Sequence, residues 1–400
     1  MKRRDFFKTA AVMGAATLGT SALSSEIKMR QPIDNRPISK FNFPEKRPMI
    51  THSDRPPLLE APREVFTQAI TPNDEFFVRW HLPEIPTFTD PDKFTISING
   101  HVEHAYTVTL KDLKTEFEQV EVTAVLQCGG NSRSAFVPIT GGVQWGSGAM
   151  GCAKWKGVRL SDILHRAGLK KGAEWIGFNG METAAYSETP RFIRELNLDE
   201  LDDHVIIAYE MNGEDLPYLN GYPVRLVLPG YYSDSWVKML NNITVTTDYE
   251  HLFFMDKAYR VPDNATEGET PEHLVKATKP ITKMNVKSVI GFPENNTTIA
   301  VNSQLVVRGV AFDSGIGIKD VLISLDEGKT WEKTVLGEDS GRYAYRTFRF
   351  SFKPKTYGNL KIMAKAVDKF GHEQPFAKDM QWNRGGYKFN GIDVVSVEVV

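Results

Sequence analysis

The chain has 400 residues, of which 41% are hydrophobic and 24% are charged, so it is long enough to form two globular domains. Its 48 basic and 50 acidic side chains give a formal net charge of -2, which excludes an overall electrostatic attraction to nucleic acid or to an anionic membrane. Only two cysteines are present, Cys128 and Cys152, and one disulfide would be a sparse framework for this length. A metal-binding or catalytic role for one of them is the better explanation.

Residues 1–24 predict an export signal. Arg3 and Arg4 precede the weakly apolar run from Thr9 to Leu23, which is the arrangement of a twin-arginine signal peptide. The run is shorter than the roughly 20 strongly apolar residues of a membrane helix, so we expect it to be removed, and no other stretch predicts a membrane span. The expected location is the periplasm. A basic N-terminus before an amphipathic helix is the alternative.

The next part of the chain predicts an extended segment followed by a mixed domain. Prolines spread through residues 25–75 remove backbone donors and favour an extended path over a domain. Residues 76–265 then combine strand patterns with two amphipathic helical patterns. The predicted strands are Phe76–His81, Phe94–Gly100, Val205–Tyr209 and Val224–Leu228, and the predicted helices are Leu110–Thr115 and Leu160–Ala167.

From about residue 280 the pattern changes to strands separated by turns. The segment 263–280 is polar and proline-punctuated, so it predicts the junction. Strands at this spacing without intervening helices are typical of an immunoglobulin-like β-sandwich over residues 280–400, which makes the whole chain α+β. The predicted strands are Leu305–Ala311, Asp320–Leu325, Thr347–Phe352 and Leu360–Val367.

One loop carries the clearest chemical signal, Gln127-Cys128-Gly129-Gly130-Asn131-Ser132-Arg133. A strand-like run delivers the cysteine to two glycines, which allow a bulky partner to approach the backbone. The nearby cation of Arg133 favours the thiolate, the form that binds metals. Taken alone, the loop also fits a small buried structural cysteine.

The chain resembles the sulfite oxidase family over nearly all of its length after residue 24. The family loop reads Cys-Ala-Gly-Asn-Arg-Arg or a close variant, which the loop around Cys128 matches with small changes. Further matches occur in the same order at residues 146–150, 155–160, 208–213 and 221–230. The same fold family includes plant-type nitrate reductases and a methionine sulfoxide reductase, so the resemblance alone does not fix the substrate.

The resemblance implies that Cys128 is the thiolate ligand of a molybdenum atom that one molybdopterin also holds. Asn220 stands where animal sulfite oxidases have a histidine, so its cofactor role is less certain, and Glu182 stands where the family often has aspartate. The other positions that match cofactor-binding residues are Phe77, Val78, Arg79, Trp80, His81, Arg225, Trp236, Val237 and Lys238.

The resemblance also implies a pocket for a small oxyanion, which needs converging cations and donors. The matched positions are Arg79, His81, Arg133, Trp145 and Tyr259, with Tyr259 as a hydrogen-bond donor beside the metal. A further cation usually comes from the C-terminal domain, for which Arg384 is the candidate and Lys388 the second choice. Each residue alone would more often be a surface ion pair or a core aromatic.

The expected reaction is oxidation of sulfite to sulfate, with electrons passed to an external acceptor such as a periplasmic cytochrome c. The sequence has no Cys-x-x-Cys-His motif, so we expect no haem, and Cys152 is expected to be a buried inert thiol. The resemblance implies a homodimer or a complex subunit, with Val306 to Val310 as a candidate contact face. The alternatives are a reductase of another oxyanion or a sulfoxide, a subunit of a sulfur-oxidising complex, and a non-catalytic binding protein.

Overall fold

The computed structural model describes residues 29–34, 36–38, 42–87 and 90–400. The predicted signal peptide lies outside the described residues. Among the helices that are described, none is long and apolar enough to cross a membrane.

Strands dominate the first part of the fold, up to residue 280. The strands are β1 (Ile50–Asp54), β2 (Pro57–Glu60), β3 (Val78–Arg79), β4 (Thr95–Gly100), β5 (Tyr106–Thr109), β6 (Gln119–Gln127), β7 (Met150–Arg159), β8 (Trp175–Gly180), β9 (Ile193–Asn197), β10 (Ile206–Met211), β11 (Glu214–Asp215), β12 (Arg225–Val227), β13 (Leu240–Thr246), β14 (Arg260–Pro262) and β15 (Thr278–Pro280). The helices are α1 (Leu110–Glu116), α2 (Leu160–Ala167) and α3 (Phe253–Asp256). Short 3-10 helices cover Arg63–Thr67, Pro91–Lys93, Arg133–Ala135, Leu198–Glu200, Tyr218–Asn220 and Ser233–Ser235.

Three sheets frame the site described below. The first runs β1-β2-β3, the second runs β11-β10-β7-β6 with β12 also paired to β10, and the third runs β5-β4-β13-β8-β9. Most pairs are antiparallel, whereas β13 and β4 run parallel. Side chains from all three sheets join one large apolar core. Burying this surface is the main force that holds the sheets together.

The two predicted helices are confirmed, and their ends have clear physical causes. Thr109 and Asp112 form a reciprocal capping box at the start of α1. Gly168 ends α2 with a φ of 68°, a conformation that glycine adopts without strain. The prediction of a mixed α and β domain overstates the helices, since the described residues hold three short ones among many strands. Strand β7 was not predicted, because its first four residues are buried on both faces and show no alternation of apolar and polar side chains.

The second part of the fold consists of two sheets with a core between them. The strands are β16 (Lys287–Phe292), β17 (Thr297–Ile299), β18 (Leu305–Phe312), β19 (Ile318–Ser324), β20 (Glu332–Lys333), β21 (Val335–Leu336), β22 (Arg346–Phe352), β23 (Gly358–Asp368) and β24 (Asp393–Val399), and a 3-10 helix covers Ala377–Asp379. One sheet runs β16-β18-β22-β21 and the other runs β17-β24-β23-β19-β20. Apolar residues of both sheets meet in a separate buried cluster, so this part has its own core.

The two parts pack against each other through apolar and polar contacts. Val310 and Phe312 of β18 are buried in the core of the first part. Arg63 links the parts as well, because its guanidinium binds Asp34 and Asp393. Val310 and Val307 are fully buried, so the predicted dimer face at Val306 to Val310 does not present these side chains to a partner.

Candidate active site

The loop after β6 places Cys128 in the interior. Its amide donates to the carbonyl of Ala149 at 2.9 Å, and its carbonyl accepts from the amide of Asn131 at 2.9 Å. A Cβ at Gly130 would lie 2.4 Å from Nη2 of Arg133, so only glycine lets the arginine fold back over the loop. The loop sequence therefore brings the thiol and a guanidinium together.

Cys128 is buried, with 5% of its surface exposed. Burial raises the pKa of its thiol, and the positive charges of Arg79 and Arg133 oppose that rise. The described residues contain no cluster of three or more histidine, cysteine, aspartate or glutamate side chains that could hold a metal ion.

Arg133 is fixed by the chain around it. Its Nε donates to the carbonyl of Gly385 at 3.0 Å and its Nη1 donates to the carbonyl of Val143 at 3.0 Å. The guanidinium carbon lies 5.0 Å from the ring centre of Tyr387, a cation–π distance. Residues of the C-terminal region thus hold the cation beside Cys128.

Tyr259 lies at the centre of a cluster of rings and cations. Its hydroxyl is 2.7 Å from Nε2 of His81, and its ring stacks on Tyr387 at 5.5 Å between centres. The guanidinium carbons of Arg194 and Arg79 lie 5.4 Å and 5.8 Å from its ring centre. Burial raises its pKa well above the ordinary value, so the phenol keeps its proton.

Glu182 anchors His81 from the other side. Oε2 of Glu182 accepts from the amides of His81 and Leu82, each at 2.8 Å, and Oε1 lies 3.5 Å from Nδ1 of His81. Burial acts to raise the pKa of Glu182, but the charge of Lys238 and these hydrogen bonds outweigh it and hold the pKa at about 2. The carboxylate is therefore ionised, whereas burial and the charge of Arg79 lower the pKa of His81 well below its ordinary value.

A small cavity adjoins this cluster. Its walls are formed by Phe77, Arg79, Leu126, Leu219, Asn220, Arg225, Ser233 and Lys238. Three of these residues are buried or half-buried cations, and Nη1 of Arg79 is buried without a hydrogen-bond partner. Because burying a cation without a partner costs free energy, we expect the cavity to bind an anion.

Arg225 and Lys238 keep their charges at some cost in free energy. Burial lowers the pKa of Arg225 to about 9, and burial lowers that of Lys238 to about 8 although Glu182 opposes the change. Arg225 donates to the carbonyls of Asn220 and Trp236 at 2.8 Å and 3.2 Å. These bonds orient the guanidinium, and its hydrogen-bond acceptors in the described part of the chain are backbone carbonyls.

The remaining predicted cofactor residues contact or adjoin residues that line the cavity. Trp80 donates from Nε1 to the carbonyl of Leu219 at 2.9 Å, and Nζ of Lys238 lies 4.4 Å from its ring centre. The carbonyl of Val237 accepts from the amide of Leu226 at 2.8 Å. Val78 is a buried residue of β3. These residues shape the cavity through backbone position and packing.

The side chains of two predicted site residues, Arg384 and Trp145, contact residues outside this cluster. Arg384 binds Glu269 through Nε at 2.8 Å and through Nη2, with 44% of its side chain exposed. Trp145 packs edge to face on His52 at 4.6 Å. Lys388, the second choice for the C-terminal cation, pairs with Glu267 at 2.5 Å. The C-terminal region instead contributes the ring of Tyr387 to the cluster.

The chain is similar to known proteins along both parts of the fold. A family profile described as oxidoreductase molybdopterin binding domain matches residues 81–254, and one described as Mo-co oxidoreductase dimerisation domain matches residues 278–392. Mitochondrial sulfite oxidase of Rattus norvegicus is 31% identical over 396 residues, which cover 94% of this chain and 70% of the rat protein. The chain belongs to the sulfite oxidase family.

Two further proteins are similar to the chain, one in sequence and one in structure. Inducible NADH nitrate reductase 2 of Glycine max is 32% identical over 302 residues, which cover 71% of this chain and 33% of that protein. The crystal structure of the sulfane dehydrogenase SoxCD from Paracoccus pantotrophus matches with a TM-score of 0.75 at 24% identity, covering 97% of this chain and 98% of that one. The structural match shows a shared fold.

Membership of the sulfite oxidase family makes the chain a molybdenum-dependent oxidoreductase that uses molybdopterin. The residues present fit this group. Cys128 offers one soft sulfur ligand, and the unpartnered Nη1 of Arg79 with Arg225 and Lys238 offers an anion site for a pterin phosphate. Gly129 lets the loop pack closely against Ile281, since a Cβ at this position would lie 2.3 Å from Cδ1 of Ile281.

Asn220, where the sulfite oxidase family often has histidine, is held by a buried lysine that the sequence did not reveal. Nζ of Lys46 donates to Oδ1 of Asn220 at 2.6 Å and to the carbonyls of Asn73 and Phe76 at 2.5 Å and 3.1 Å. Burial lowers the pKa of Lys46 to about 7. The 174 residues between Lys46 and Asn220 explain why no local motif indicates the contact.

A buried ion pair, Arg194 with Asp234, was missed for the same reason. A Cβ at Gly129 would lie 3.5 Å from Oδ1 of Asp234, which places the carboxylate beside the cysteine loop. Burial raises the pKa of Asp234 to about 6, and the charge of Arg194 opposes that rise. The pair adds one negative and one positive charge that the sequence had not predicted for the site.

Proposed function

We propose that the chain oxidises sulfite to sulfate at a mononuclear molybdenum centre held by Cys128 and one molybdopterin. The observation that carries this proposal is a buried cysteine, Cys128, whose thiol feels the positive charges of both Arg79 and Arg133, in a chain of the sulfite oxidase family. When bound, the centre supplies oxygen-atom transfer and two-electron redox chemistry. Sulfite and water become sulfate, two protons and two electrons.

The side chains of the site suit a small oxyanion. Arg79 and Arg133 bring two guanidinium groups within electrostatic reach of the Cys128 thiol, and guanidinium is a strong donor to oxyanions. Tyr259 and Tyr387 close the site with rings that exclude water. We propose that these residues bind and orient sulfite and stabilise the negative charge that develops during transfer.

The electrons must leave to an acceptor, and we propose a periplasmic cytochrome c or a similar carrier. Residues 1–24 are proposed to be a twin-arginine signal. Replacing Arg3 and Arg4 by lysine should stop export, which cell fractionation measures. We also propose residues 76–265 as the cofactor domain and residues 280–400 as an immunoglobulin-like domain that makes a homodimer or a complex contact, supported by the dimerisation profile.

Two other functions have specific support. The similarity to a nitrate reductase supports reduction of another oxyanion or a sulfoxide, and the fold shared with the sulfane dehydrogenase SoxCD is compatible with a subunit of a sulfur-oxidising complex. The first predicts oxidation of a low-potential donor with nitrate or a sulfoxide. The second predicts that the isolated chain binds molybdenum but shows no turnover with free sulfite.

The deciding experiment compares molybdenum content and sulfite-dependent reduction of ferricyanide or cytochrome c in the wild type, Cys128→Ser and Cys152→Ser. Cys152 is the matched control, because it is also buried and its sulfur accepts from the amide of Tyr345 at 3.5 Å. We expect Cys128→Ser alone to lose turnover. Molybdenum-replete wild type without sulfite turnover contradicts the substrate, and full activity in Cys128→Ser contradicts the ligand.

A further inference from the structure

We propose that Glu182, His81 and Tyr259 form a proton relay, in which Tyr259 gives its hydroxyl proton to His81 while Glu182 holds His81 in the tautomer that receives it. This inference rests on the proposed function, because oxidation of sulfite with an oxygen atom from water releases protons at the site. The three groups are contiguous and buried. Glu182 thereby gains a role beyond lining a cofactor site: it positions the imidazole that faces Tyr259.

The geometry around Glu182 selects one tautomer of His81. Oε2 of Glu182 is committed to the amides of His81 and Leu82, each at 2.8 Å, which fixes the carboxylate. Oε1 lies 3.5 Å from Nδ1 of His81, and both atoms are buried without another hydrogen-bond partner. A proton on Nδ1 gives both atoms an interaction, whereas a bare Nδ1 would set two lone pairs against each other. Nε2 is then the acceptor.

This tautomer of His81 determines the direction of the hydrogen bond between His81 and Tyr259. A phenol has one proton, and with Nε2 of His81 as acceptor at 2.7 Å that proton is donated to the imidazole. The oxygen of Tyr259 then turns only lone pairs toward the rest of the site. Tyr259 is therefore a hydrogen-bond acceptor for a water or substrate proton, the reverse of the donor role expected from the sequence.

The relay moves one proton in two coupled transfers. The water that supplies the oxygen breaks an O–H bond and gives that proton to the oxygen of Tyr259, whose own O–H bond breaks as an N–H bond forms at Nε2 of His81. Tyr259 ends neutral, and His81 ends as an imidazolium opposite the carboxylate of Glu182. The two electrons leave to the external acceptor and do not pass through these groups.

The charges that face His81 make the relay respond to an anion. Its ring stacks on Phe192 at 3.4 Å between centres, and Phe254 lies edge to face at 5.9 Å, so two apolar rings cover one side of the imidazole. Arg79 and Lys238 disfavour the imidazolium, and Glu182 favours it. An oxyanion bound to Arg79 offsets one of the opposing charges. His81 therefore gains proton affinity when substrate is in place.

The tautomer can be measured directly by ¹⁵N-histidine NMR on the full chain, with and without cofactor. The His81 signals are those lost in His81→Gln. We expect the proton on Nδ1 in the wild type. In Glu182→Gln the carbonyl keeps the two amide bonds and the NH₂ group faces Nδ1, so the proton should move to Nε2. A proton on Nε2 in the wild type, or an unchanged tautomer in Glu182→Gln, would overturn the proposal.

Kinetics supply the second measurement. Per bound molybdenum, we expect Glu182→Gln to lower kcat for sulfite by about tenfold or more with little change in KM, and Glu182→Asp to recover part of it. The matched control is Glu195→Gln, a buried carboxylate that also accepts one backbone amide. No sulfite turnover in the loaded wild type would overturn the proposed function. Equal turnover per molybdenum in Glu182→Gln would overturn the relay alone.

Discussion

Oδ2 of Asp234 lies 2.8 Å from Nη2 of Arg194, and each side chain is 2% exposed. The pair is buried next to the cysteine loop, and the ring centre of Tyr259 lies 5.4 Å from the guanidinium carbon of Arg194. A buried pair of this kind adds little net stability while it is intact, but loss of one partner leaves an unpaired charge. The arrangement therefore fixes both groups together.

Replacing Arg194 by methionine should destabilise the fold by about 3–5 kcal/mol at pH 8. The loss should be smaller at pH 5, because burial raises the pKa of Asp234 to about 6 even with Arg194 present, and the lone carboxyl then takes up a proton more readily. Urea unfolding at both pH values measures the difference. In the double variant with Asp234→Asn most of the loss should be recovered, and equal losses at pH 5 and pH 8 would contradict this account.

Tyr387 should matter more for turnover than Arg384. Tyr387 stacks on Tyr259 and lies under Arg133, so Tyr387→Leu removes contacts worth about 1–1.5 kcal/mol and should lower kcat/KM for sulfite by about tenfold. Arg384 pairs with Glu269 at a half-exposed position, and Arg384→Gln should change kcat/KM by less than about twofold. A larger effect at Arg384 would restore it as the C-terminal cation of the pocket.

The sequence predicted the parts of the site that lie in continuous motifs. The Cys128 loop and the arginines Arg79 and Arg133 sit in ordered matches to one family, and the structure brings all three together. Helices α1 and α2 were predictable because their apolar spacing and caps are local. Local pattern is enough where a single segment carries the information.

The sequence could not predict contacts that join distant segments. Lys46 reaches Asn220 across 174 residues, and nothing near either residue indicates the other. The sequence also could not predict which residue of the C-terminal tail reaches the site. Arg384 was predicted from the need for a cation, but Lys388 has a φ of 65° and Gly386 one of 58°, and with this turn the ring of Tyr387 stacks on Tyr259. Tertiary packing therefore determines that Tyr387, and not Arg384, joins the cluster around Tyr259.

Lys46 should make the stability of the protein rise between pH 7 and pH 10. Burial lowers its pKa from 10.5 to about 7, so in this range the unfolded chain binds the proton and the folded chain does not. The contribution of Lys46 to the free energy of unfolding is fully present above pH 10.5 and is lost as the pH falls through about 7. Lys46→Met should flatten this slope, and Lys171→Met, at an exposed lysine, should leave it unchanged. Urea unfolding at three pH values tests this.

Inorganic phosphate should stabilise the cofactor-free protein through Arg225. Burial lowers the pKa of this arginine to about 9, and no carboxylate is among the causes of its shift, so an anion in the adjoining cavity relieves an unpaired charge. Binding to the folded state at ten times Kd adds about 1.4 kcal/mol, which appears as a rise in Tm that saturates with phosphate. Arg225→Leu should abolish the saturable rise, and Arg349→Leu on the exposed side of β22 should retain it. A rise of equal size in Arg225→Leu would mean that phosphate acts by general exclusion from the surface and that the three cations of the cavity do not form the anion site.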